Sequence, residues 1–150
     1  MKIVTLDEEV KRDNKIVTDW LLFYDEHKKE YLRRRECSVS DSSASYISSI
    51  SYNSLYDLME VERWLNLIEE IEQRLPWKMH IFLRLRREYR HVTGRKGWTT
   101  AVQWRYTYEV AERLGKNPED TWVESRFILN RWWDKILDYT VRLAAKRGLL

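Results

Sequence analysis

The chain has 150 residues, 43% of them hydrophobic, with eight Trp, nine Tyr, three Phe and a formal net charge of +3. A chain of this length buries roughly 70% of its unfolded surface, enough for a core without staples, and suits one domain or one domain with an appended arm. Four Gly and two Pro are too few for a fold of many short strands, and the lone Cys37 excludes an intrachain disulfide framework or a Cys-based metal site.

Cys37 is expected to be a buried small hydrophobe in a reducing cytoplasm. The opening "MKIVTLDEEVKRDNK" lacks the apolar run of a signal peptide, and no stretch reaches the roughly 20 apolar residues of a membrane span. Charge is unevenly placed. Residues 1–73 hold 10 Lys/Arg against 16 Asp/Glu, and residues 74–150 hold 17 against 8. The basic half is expected to meet a polyanion.

In chain order, Thr5 with Glu8 three residues on forms a capping-box pattern. Val10, Val17, Trp20, Leu21, Tyr24, Tyr31 and Leu32 then repeat at helical spacing, predicting one long helix that ends near Glu36. Residues 38–54 contain nine Ser. Serine hydroxyls compete for backbone hydrogen bonds, so a loop or linker is expected there. A second helix is expected from about Asn53 or Ser54 to Leu75, with Leu55, Leu58, Val61, Leu65, Ile68 and Ile71 along its apolar face. Pro76 closes it or opens the next, since proline is tolerated in a first helical turn. In the third, Met79, Phe82, Leu83 and Leu85 point inward, and Arg84, Arg86, Arg87 and Arg90 are left outside. "TGRKGW" is a basic, glycine-containing turn, followed by a fourth helix from about Thr99 to Leu114.

"AERLGKNPEDTWV" carries a helix stop and a helix start in close succession. Gly115 adopts a left-handed cap cheaply, and Ala111 is small enough for a crossing neighbour. Asn117-Pro118-Glu119-Asp120 then supplies a cap, a first-turn proline and two acids for the positive helix end. The expected result is a sharp corner and a final helix from about Pro118 to Lys146. On a wheel of about 100° per residue, Trp122, Phe127, Leu129, Trp133, Ile136 and Leu137 face the core while Trp132 lies outward.

The predicted fold is all-α: an N-terminal helix and Ser-rich linker over residues 1–54, then a helical domain over residues 55–150 with a helix-turn-helix and a long last helix. The broad N-terminal stripes fit a folded hairpin or a homodimer equally. If the last helix enters a major groove, Thr121, Glu124, Ser125 and Ile128 are the base-reading candidates. Arg95, Lys96, Lys116, Arg131 and Lys135 are the phosphate candidates.

"RLPWKMHIFLRLRREYR", with Leu75-Pro76 and Leu83-Arg84-Leu85-Arg86, resembles the helix that opens the fourth domain of bacterial sigma factors. Residues 108–150 resemble that domain's helix-turn-helix and trailing helix. The layout is similar to sigma-like phage late-gene activators of the ArpU and RinA type, through Arg63-Trp64, Ile71, Leu75-Pro76 and the tail from Leu143 to Leu150. Two departures stand out: a connection longer by roughly ten residues after the opening helix, and a longer turn at "GKNPEDTWV". The resemblance implies double-stranded DNA binding at a phage or prophage promoter, with RNA polymerase as a further partner.

No His-Glu-x-x-His, nucleophile elbow or phosphate-cradling loop is present, and His27, His80 and His91 are scattered; a non-enzymatic protein without cofactor or metal is expected. A phage small terminase subunit and a polymerase-binding adaptor without DNA specificity are the competing functions. Single-strand binding is a further one. Trp98, Trp104, Tyr106 and Tyr108 interleave with Arg95, Lys96 and Arg105, although aromatics at helical spacing ordinarily pack in a core.

Overall fold

A computed structural model describes residues 5–40, 44–92, 94–121 and 124–150; it leaves the side chains of residues 37–40, 44–55, 95 and 96 undescribed. The described residues are all-helical: α1 (Leu6–Leu22), α2 (Tyr24–Ser40), α3 (Ala44–Arg74), α4 (Trp77–Glu88), α5 (Arg95–Leu114), a 3-10 helix (Pro118–Asp120) and α6 (Arg126–Lys146). None of these helices is long and apolar enough to cross a membrane. The expectations for the Cys37 and Leu55 side chains and for Trp122 fall outside the described residues.

Two compact units make up the chain, Met1–Glu70 with Thr140–Leu150, and Ile71–Tyr139. The divisions fall at Glu70 and Tyr139, inside α3 and α6.

In the first unit, Thr5 caps α1 reciprocally with Glu8, through Glu8 N to Thr5 Oγ1 at 3.3 Å and Thr5 N to Glu8 Oε2 at 3.2 Å. The long first helix expected to run to Glu36 is broken at Phe23, whose φ of −105° and ψ of 27° leave the helical region. Side chains bridge the break: His27 Nε2 lies 2.8 Å from Asp19 Oδ2, and its ring stacks on Trp20 at 4.0 Å. Trp20 stacks in turn on the buried Trp64 of α3, centroids 5.3 Å apart and nearly parallel. Val17, Leu21, Leu22, Leu65, Leu67 and Ile68 are buried in the same unit. The Ser-rich stretch is a second correction. α2 runs into it as far as Ser40, and α3 begins at Ala44, well before Asn53. Serine lowers helix propensity by well under about 1 kcal/mol per residue, which tertiary context overrides.

In the second unit, Pro76 precedes α4 as its N-cap. α4 and α5 form a hairpin, with Arg113 over the Trp77 ring near one end and Arg86 over Trp98 near the other. Phe82, Leu83, Leu85, Trp98, Val102, Tyr106, Val110, Leu129, Trp133 and Ile136 are its core.

Arg86, expected outside, is only 7% exposed. Its guanidinium lies 4.3 Å from the Trp98 ring centroid and 5.0 Å from that of Trp133, and burial lowers its pKa to about 10. The two indoles supply a cation–π environment where no carboxylate reaches Arg86 Nε or Nη1. Arg87 pairs with Glu72 and Arg84 with Glu109. The arginines of α4 therefore serve the unit's own packing and ion pairs, and do not form a free basic stripe.

Candidate nucleic-acid interface

Gly115 closes α5 in the left-handed region, at φ 67° and ψ 29°. Lys116 N donates to Ala111 O at 2.9 Å and Gly115 N to Glu112 O at 3.1 Å, satisfying carbonyls that the helix end leaves free. Ala111 is fully buried. Asn117-Pro118 then starts only a 3-10 turn. Thr121 is extended, and α6 begins at Arg126. The final helix thus starts eight positions later than expected, at Arg126 rather than Pro118. Thr121 and Val123 are β-branched and flank a tryptophan, a weak sequence for extending a turn into a helix.

This shift reassigns the base-reading candidates. Ser125 caps the new helix: its Oγ accepts from Ile128 N at 3.2 Å, and its carbonyl accepts from Leu129 N at 3.1 Å. Thr121 is buried, its Oγ1 donating to Asn117 O at 2.9 Å. Glu124 is 7% exposed; Lys78 Nζ of α4 lies 3.7 Å from its Oε1, and its carbonyl accepts from Gln103 Nε2 of α5 at 2.9 Å. Burial first, and then the Glu124 carboxylate, push the Tyr106 phenol upward. Thr121 and Glu124 therefore anchor the segment that leads into α6, and neither presents its side chain to a groove.

The polar side of α6 is open. Ile128, Arg131 and Lys135 line one groove along it together with Trp132, Asp134 and Asp138. Of the phosphate candidates, Arg131 and Lys135 are exposed in that groove. Lys116 is exposed in the segment after α5 and does not line it, and the side chains of Arg95 and Lys96, in the first turn of α5, lie outside the described residues.

Arg126 is exposed on the side of α6 towards α5, its Nη1 3.4 Å from Thr100 Oγ1. One residue that the wheel placed in the core joins the polar face. Phe127, expected in the core, is 69% exposed and carries the Arg131 guanidinium 5.8 Å from its ring centroid. The buried stripe of α6 runs through Leu129, Trp133, Ile136, Thr140 and Ala144. Its centre is rolled by about 50° from the arc drawn on sequence, at 100° per residue. Trp132 moves the other way: it is half-buried, edge-on to Phe82 and Tyr106 at 5.8 Å each. The late helix start was legible only in Ser125, a capping residue type competing with the more conspicuous Asn117-Pro118.

No group of three or more His, Cys, Asp or Glu that could hold a metal occurs among the described residues. No family model matches the chain, and neither does any curated protein or solved structure.

Proposed function

We propose that this chain is a non-enzymatic, sequence-specific double-stranded DNA-binding transcription regulator, of the kind its resemblance to sigma-like phage late-gene activators implies. The observation that carries the reading is the uncovered face of α6, on which Phe127, Ile128, Arg131 and Lys135 lie together, opposite the side that Leu129, Trp133 and Ile136 seat in the core. A major groove admits one α-helix, and the residues near that helix's N-terminus reach base edges. Phe127 and Ile128 suit thymine methyls. Arg131 and Lys135, one turn and two turns further along, suit the phosphates. Among the described residues neither has an ion-pair partner. Asp134 and Asp138 share the groove; they limit non-specific affinity and so favour a reader that depends on base contacts.

Selection of bound fragments from a random duplex pool tests the reading. A recurrent motif is the expected result. Replacing Arg131 and Lys135 together by Ala is expected to weaken binding about 10-fold or more on all sequences, while Ile128→Ala changes the selected motif. A pool without enrichment, or a double variant that binds as the parent does, removes α6 as the reading element.

A further inference from the structure

The exposed aromatic face of α5 is not used by the duplex reading. Trp98 and Tyr106 are buried, as aromatics at helical spacing ordinarily are. Trp104 and Tyr108 are not: they are 65% and 47% exposed, one turn apart, with ring centroids 5.2 Å apart and planes inclined at 57°. Between them in sequence stands Arg105, exposed and without an ion-pair partner among the described residues. The Arg126–Thr100 contact holds the first turn of α6 against the turn of α5 that precedes Trp104. The exposed Phe127 and the Arg131 above it belong to that same turn and the next.

We propose that Trp104 and Tyr108 form a stacking platform for the unpaired bases of single-stranded nucleic acid. The warrant is the combination of exposed rings with unpaired arginines. Every base has a π-face, and a strand's phosphates need cations at the spacing of its bases; aromatic side chains interleaved with arginine supply both. Inclined rings cannot share one base, so each takes its own, and the pair receives successive nucleotides. Arg105 is placed for the connecting phosphate, and Arg126 continues the cationic path towards α6. The nearby acids are Glu109, already paired with Arg84, and the exposed Glu112 one turn beyond Tyr108.

The proposal stands apart from the duplex reading, because its stacking residues, Trp104 and Tyr108, are on α5. Fluorescence anisotropy of the full chain with a labelled oligothymidylate, and with a labelled duplex of equal length, separates the two. The Trp104→Ala, Tyr108→Ala variant is expected to lose about 10-fold or more in affinity for the single strand and to keep its duplex affinity. Trp104→Phe, Tyr108→Phe keeps π-faces and is expected to restore most of the single-strand binding. Failure of the parent to bind oligothymidylate at low salt overturns the proposal, whatever the duplex result. So does equal loss for both nucleic acids in the Ala variant, or failure of the Phe variant to restore binding. Sedimentation showing self-association that Trp104→Ala abolishes assigns the face to a second copy instead.

Discussion

Ser125 shows how one side chain can belong to folding when its residue type suggests recognition. A hydroxyl at the start of an exposed helix suits a base edge, yet here it accepts from Ile128 N and occupies the cap. Ser125→Ala is expected to cost about 1 kcal/mol of stability, read as a lowered thermal midpoint, and to change affinity without changing the preferred sequence. A changed sequence preference at unchanged stability would return Ser125 to the reading set. Glu69 gives a second residue-scale expectation. The Tyr24 hydroxyl donates to it, Lys28 Nζ lies 3.0 Å away, and these hydrogen bonds, Tyr24's first, hold its carboxyl below the usual carboxylate range. The unfolded chain then binds a proton at higher pH than the folded one does. Stability from this site is present above the unfolded carboxylate pKa and is lost as pH falls through the folded one. Glu69 is partly exposed, so the contribution is at most about 1 kcal/mol. Chemical denaturation between about pH 6 and pH 3 should show Glu69→Gln losing less stability than the parent.

α6 is defined by where it starts. With a start at Pro118, the first turn would carry Thr121, Glu124 and Ser125 to a groove. With a start at Arg126, that turn carries Arg126, Phe127 and Ile128, while Glu124 is tied back to Lys78 and Gln103. The element-scale expectation follows from the roll of the helix. Phe127→Ala leaves the core untouched, so thermal stability should change by no more than about 0.5 kcal/mol while duplex affinity falls. A large drop in stability would mean that the Phe127 ring packs in the core as the wheel had it. α4 makes the converse point. Its three arginines were expected outside, but Arg86 is enclosed by indoles and Arg84 and Arg87 are committed to Glu109 and Glu72.

For the whole molecule, electrostatics sets the expectation. The strong basic excess of residues 74–150 is partly used internally, leaving Arg105, Arg113, Lys116, Arg126, Arg131, Lys135 and Lys146 as exposed cations without ion-pair partners among the described residues, of which only Arg131 and Lys135 line the α6 groove. If about four phosphates are neutralised, raising salt from about 50 to about 200 mM should weaken duplex binding roughly 100-fold through counterion release. Titrations of the parent and of the Arg131, Lys135 double variant check this. The double variant's slope on a log–log plot should be shallower by about two. Identical slopes would place the phosphate contacts elsewhere.

Periodicity and capping chemistry were enough for an all-helical chain, the Thr5–Glu8 cap, the Pro76 junction and the left-handed Gly115, because each depends on residues within one or two turns of one another. Tertiary structure alone decided which cations stay free, where α6 begins and which way it rolls. Those outcomes depend on pairs far apart in sequence: Glu124 with Lys78 and Gln103, Arg86 with Trp98 and Trp133, Trp132 with Phe82 and Tyr106. A helical wheel counts angles within one element and has no term for the neighbour that fills a given side. For that reason the exposure of Trp104 and Phe127, on which both functional proposals draw, could not be read from spacing.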